Sequence, residues 1–205
     1  MSILNELENY LSEMSIQSVN ITPRFRKQFH DNIDWGNELL ANEYIYDNGR
    51  DEDEIYNYEE VYDTEEFKEW FDEYTEGRFY EMVDILYSYI DNGKIKIWRM
   101  MDVKKDWIDA LEKQGKHLGI YWSYEEDVAE AHWGKGLKHS ILIESEVPEN
   151  GVDWNETILA NIHPVTGEEE KEITLFKGTP INIKSIKVDN EEIDITHIKD
   201  KVFKA

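Results

Sequence analysis

Apolar positions along the chain recur first at helical spacing and later in alternation. Ile3, Leu4, Leu7, Tyr10, Leu11 and Met14 share one helical face, which predicts an amphipathic helix closed before an extended stretch at ITPRF. From Glu43 to Glu60 the chain is dominated by Asp, Glu, Asn and Tyr around DNGRDEDE, a composition too polar to bury itself, and it reads as a loop or weak helix. Asp63 or Thr64 is placed to cap the next helix. Its apolar stripe runs through Phe67, Phe71, Tyr74, Phe79, Met82, Val83, Leu86 and Ile90, interrupted near Gly77 and ended by DNG at 91–93.

The period then changes from helical to alternating. KIKIWR sets Ile95, Ile97 and Arg99 on one face of a strand. A short helix from about Asp106 to Gln114 is expected before the strand GIYWS, after which SYEEDVAEAHWG returns to helix with Val128, Ala131 and Trp133 inward until GKG breaks it. SILIESEV, KEITLF, INIKSIKV and EIDITHI are four further strands, separated by Pro, Gly and Asp-Asn turn signals. Helices first and strands later predict an α+β fold. The division falls between a helical region with an acidic loop, 1–92, and a β-core, 93–205, folded together as one unit.

Charge narrows the partners. With 46 acidic against 22 basic residues the formal charge is -24, which repels nucleic-acid phosphates and anionic membranes and favours a basic or neutral partner. No cysteine is present, so disulfides, thiolate nucleophiles and sulfur-bound zinc are excluded, and a reducing cytosol fits. The first residues lack the basic start and apolar run of a secretory signal, and no window approaches the roughly 18 apolar residues of a membrane span, so the expected location is cytoplasmic. GKGLKHS lacks the spacing of a phosphate loop, DNGRDEDE that of a calcium loop, and the six histidines contain no HExxH pair, so no metal is expected.

Three short pieces carry candidate chemistry: an arginine ending one strand (Arg99), a serine ending a second (Ser123), and a Glu-x-Glu opening a third (Glu170 and Glu172). In that order they resemble the R-S-E class of ADP-ribosyltransferases, the group of arginine-modifying toxins, phage transferases and vertebrate ectoenzymes. The resemblance covers Lys94 to Val188: KIKIWRMM is similar to the strand ending in the NAD-binding arginine, GIYWSYEEDVAEAHWG to the serine strand and its helix, and EEEKEITLFKGTPINIKSI to the glutamate strand. It implies N-terminal helices packed on a core of two face-to-face β-sheets of the ADP-ribosyltransferase type, with NAD as co-substrate in the cleft between them. Arg99 would hold the pyrophosphate by charge-assisted hydrogen bonds. Glu172 would stabilise the oxocarbenium-like centre formed as nicotinamide leaves, and Ser123 would orient Glu172. Glu170, two residues earlier on a strand, points to the same side and implies arginine as acceptor.

The segment from Asn161 to Glu169 matches the family's substrate-recognition loop, with His163 and Pro164 facing an acceptor protein of basic surface. The sequence departs from the family where Met100 follows Arg99 and where Trp122 and Tyr124 flank Ser123, positions that either contact the nicotinamide or fill core. Each residue also has a plain structural reading: Arg99 an ion-pair arginine, Ser123 a helix cap, Glu172 part of a solvated charged turn. Two rival functions stand beside the transferase. One is a non-enzymatic acidic inhibitor or nucleic-acid mimic, suggested by the charge; the other is a degenerate transferase fold kept for binding.

Overall fold

A computed structural model of the chain describes residues 15–33, 39–49, 61–104, 117–132, 139–163, 171–198 and 201–205. The helix expected over 3–14, the body of the acidic loop at 50–60, the short helix over 106–114, the GKG break with Trp133, and the side chain of Ala131 lie outside the described residues.

ITPRF is not extended throughout. Thr22 and Pro23 start helix α1 (Pro23–Asn32), the proline at the first turn and the Thr22 hydroxyl accepting from the Phe25 N–H at 3.0 Å. Helix α2 (Leu39–Asp47) takes in the first residues of the polar stretch and buries Tyr44 and Ile45. Helix α3 (Glu65–Ser88) is capped by Thr64, as the sequence suggests, and runs unbroken through Gly77. Phe71, Thr75, Phe79 and Met82 are buried on both sides of that glycine, and such burial outweighs the ~1 kcal/mol a mid-helix glycine costs. Phe25 meets Phe79 edge-on at 4.8 Å and Phe29 stacks on Phe71 at 5.7 Å, so α1 is welded to α3 by aromatic pairs.

The β half begins with β1 (Ile90–Asp91), which turns back into β2 (Lys94–Val103). β2 pairs along its full length with β4 (His139–Pro148), Lys94 opposite Pro148 and Val103 opposite His139. The remaining strands are β3 (Tyr121–Ser123), β5 (Glu172–Thr174), β6 (Pro180–Val188), β7 (Glu191–Glu192) and β8 (Phe203–Lys204). Their order is β5-β3-β2-β4-β6-β7, with β1 on β2 and β8 on β6, and every pairing of named strands is antiparallel. The fold is therefore α+β, as expected. The two separate face-to-face sheets are corrected to one connected sheet among the described residues. β6 joins both ladders: Pro180 and Ile181 pair with β8, and from Asn182 onward the strand pairs with β4.

EIDITHI is also corrected, because only Glu191–Glu192 is strand. The Asp194 carboxylate accepts from the Thr196 N–H at 2.9 Å, and this local bond turns the chain where the apolar alternation alone suggests extension. Two helices pack on the sheet, α4 (Glu126–His132) against β2, β3 and β4, and α5 (Trp154–Asn161) against the edge strand β5. Ile95, Ile97, Ile143, Ser145 and Val147 are fully buried on the inner face of β2 and β4. The four apolar residues among them belong to one hydrophobic core with Phe25, Phe29, Phe79 and Leu86 of the helices.

Candidate active site

Strand register decides which candidates can meet. Residues directly opposite on neighbouring strands share a face, and successive residues alternate. Glu172 lies opposite Ser123, and Ser123 opposite Trp98. Glu172 and Ser123 therefore share the outer face. Arg99, one residue beyond Trp98, leaves β2 on the inner face with Ile95 and Ile97.

Its guanidinium reaches toward β3, with Nε still buried. Among the described residues β2 and β3 share the single register pair Trp98–Ser123, and the Arg99 Nη1 donates to the Tyr121 carbonyl where the strands part. Arg99 Nε is buried with no hydrogen-bond partner, and no carboxylate of the described residues lies within ion-pair distance of the guanidinium. Burial lowers its pKa from the ordinary value. The ion pair that a purely structural arginine would make is absent among the described residues.

Gly119 makes room for this group. Its φ is +88°, and a Cβ built there would stand 2.7 Å from Arg99 Nη1. Gly119→Ala is accordingly expected to cost about 1–2 kcal/mol through the left-handed backbone alone and to push the guanidinium out of the fork. Thermal unfolding checks the first effect.

Glu172 is held more firmly than a solvated turn would hold it. The carboxamide of Asn161, fully buried, accepts from the Glu172 N–H at 3.0 Å and donates to the Glu172 carbonyl at 2.7 Å. One turn earlier on α5, the Thr157 hydroxyl accepts from the Thr174 N–H at 3.0 Å. The helix thus completes the free edge of β5 with side chains, since residues four apart on a helix match residues two apart on a strand. The carboxylate itself accepts from the Thr174 hydroxyl at 2.8 Å. The orienting role expected of Ser123 falls to Thr174 among the described residues; the Ser123 Oγ accepts from the Glu125 N–H at 3.1 Å, which is its turn-capping role.

Trp122 and Tyr124 fill core. They are 4% and 1% exposed, the Trp122 indole donates to the Gly119 carbonyl at 2.9 Å, and burial raises the Tyr124 phenol pKa strongly. Met100 is half-buried on β2 opposite Leu142. His163 lies at the end of α5, with Nε2 at 3.1 Å from the Asn32 carbonyl. Pro164 and Glu170, with 164–169 of the expected recognition loop, lie outside the described residues.

An open cavity of about 650 Å³ lies against Glu172, and its walls include Tyr121, Thr174, Phe176, Glu156 and His163. Tyr121 and Phe176 are 54% and 41% exposed, large rings presented to solvent beside a carboxylate. The sequence reading passes them over, yet period-two spacing finds them: Tyr121 shares the face of Ser123, and Thr174 and Phe176 share that of Glu172. Among the described residues no group of His, Asp or Glu is arranged to hold a metal, and no helix is long and apolar enough to cross a membrane. No protein-family model, no curated protein and no solved structure matches the chain.

Proposed function

We propose that this protein is a mono-ADP-ribosyltransferase that moves ADP-ribose from NAD to a protein acceptor, preferentially arginine, and releases nicotinamide in the cytosol. The observation that carries the reading is the strand order β5-β3-β2, which puts Glu172, its backbone clamped by Asn161, and Arg99, whose guanidinium has no carboxylate partner among the described residues, on the two strands that flank that of Ser123. In a chain with 46 acidic residues, a half-buried arginine without a carboxylate among the described residues calls for another anion. The NAD pyrophosphate supplies one. Arg99 would exchange the Tyr121 carbonyl for phosphate oxygens, and the ADP-ribosyltransferase-type core is part of this proposal.

In the proposed reaction the bond from the anomeric carbon to nicotinamide breaks with its electron pair going to the pyridinium ring, which leaves neutral. Glu172 stabilises the positive charge on the ribose. The acceptor guanidine nitrogen then bonds to the anomeric carbon and gives its proton to Glu170. A gain of one ADP-ribose unit on arginine of co-expressed proteins, read by mass spectrometry, tests the transfer; release of nicotinamide with no modified protein would make the activity NAD hydrolysis. Thr174→Val, which keeps shape and removes the hydroxyl on Glu172, is expected to slow nicotinamide release about tenfold, as for loss of a hydrogen bond to a charged group, while unfolding stays near wild type.

One observation favours a second reading, a transferase-like fold used for binding alone: Arg99 leaves its strand on the face opposite Glu172 and is bonded to Tyr121. That protein would bind its partner equally well after Glu172→Gln. An acidic inhibitor would do the same, with affinity that collapses as salt screens its charge.

A further inference from the structure

Across the sheet, Arg99 sits on β2, Ser123 on β3 and Glu172 on β5, and β5 is the edge. Beyond that edge stands α5, fastened to β5 by Asn161 and Thr157. A donor stretched from Arg99 to Glu172 covers the span from β2 to β5, and the cavity beside Glu172 opens from Tyr121 of β3 across β5 to α5. Helix α5 turns a distinct face to that cavity: Glu156, Leu159 and Ala160 follow at helical spacing with His163 just beyond the helix end, while Thr157 and Asn161 face β5.

The chemistry of the walls is that of a cation site. Tyr121 and Phe176 present exposed rings, and Glu156, exposed on α5, carries a carboxylate. With Asp153 and Glu172 the described lining holds three carboxylates against the single ammonium of Lys177. Aromatic faces and a carboxylate together attract a guanidinium or ammonium group. The described lining gives a second dinucleotide phosphate Lys177 alone to set against those carboxylates.

We infer that the cavity between β5 and α5 is the acceptor subsite, and that Phe176 and Glu156 set its preference for a cationic side chain. The inference rests on the ADP-ribosyl transfer reading above. It places the acceptor nitrogen beside Glu172, against the face that α5 turns to the cavity. Phe176 and Glu156 act on acceptor binding and not on departure of nicotinamide.

The test uses the full chain, NAD and agmatine, a small guanidine, as acceptor, with the KM of each substrate measured separately. Glu156→Lys and Phe176→Ala are each expected to raise the KM for agmatine about tenfold, the size of one lost ion-pair or cation-π contact in a partly dry site, with the KM for NAD unmoved. Glu156→Gln, which leaves the helix surface intact, should shift the agmatine KM in the same direction by less. An unmoved agmatine KM in all three, or an equal rise in the KM for NAD, overturns the subsite and leaves the transferase reading standing. A wild type that transfers nothing to agmatine and releases no nicotinamide overturns both.

Discussion

Glu172→Gln is expected to lower the rate of nicotinamide release from NAD by about 10²- to 10³-fold, the cost of about 3–4 kcal/mol typical for one preorganised group that meets charge only in the transition state. The substitution is close to isosteric. The Asn161 clamp holds the backbone of residue 172, and the Thr174 hydroxyl can still donate to an amide oxygen. NAD affinity should therefore change by little while kcat falls, because the lost interaction is with the oxocarbenium-like ribose rather than with ground-state NAD. Quenched-flow measurement of nicotinamide, with NAD affinity measured alongside, separates the two. Equal losses in affinity and in rate would place Glu172 in ground-state binding and remove it from the chemistry.

The second large effect belongs to Asn161→Leu. Leucine fills the space but leaves the N–H and carbonyl of Glu172 without the partners that the carboxamide supplies at 3.0 and 2.7 Å. Each unsatisfied buried group costs about 1–3 kcal/mol, so the pair should cost about 2–6 kcal/mol, a large share of the stability of any domain this size. The melting temperature should fall by roughly 10 °C. Asn161→Asp should also destabilise, since it keeps an acceptor for the Glu172 N–H but sets a carboxylate against the Glu172 carbonyl. A shift of no more than a degree or two in Asn161→Leu would mean that β5 does not depend on α5.

Much of the fold was legible in the chain, and the failures have local causes. The stripe of α3 reads through Gly77 because Phe67 and Phe71 before it and Phe79, Met82 and Leu86 after it are buried and outweigh one glycine. Alternation located β2, β4 and β6 because each buries chiefly one face, with Leu142 of β4 buried on the other. Pro23 suggests extension at ITPRF but opens α1 instead, since proline is both a helix breaker and a favoured first residue, and the Thr22 cap distinguishes the two. EIDITHI alternates like a strand, but Asp194 captures the Thr196 N–H and turns it. That β6 joins two ladders is set by how far its partners reach, which its own sequence does not encode.

The site divides in the same way. The family resemblance implies that Ser123 lies beside Glu172, and the structure sets the two opposite one another on neighbouring strands. Arg99 was legible as a residue of the Ile95/Ile97 face, and that same periodicity carries it to the side away from Glu172. Trp122 and Tyr124 drew attention as neighbours in sequence, whereas the residue that shares the face of Ser123 is Tyr121, two positions away. Thr157 carries no motif, and Asn161, the first residue of the expected recognition loop, instead ends α5 and clamps β5. Their role appears only when a helix is laid against a strand edge.

The account turns on whether Arg99 and Glu172 engage one dinucleotide, and a crystal structure of the Glu172→Gln protein with NAD measures that directly. The expected result is the pyrophosphate on the Arg99 guanidinium, released from the Tyr121 carbonyl, with the anomeric carbon of the nicotinamide ribose beside residue 172. NAD bound elsewhere, or Arg99 still donating to Tyr121 with NAD at saturating concentration, would contradict it.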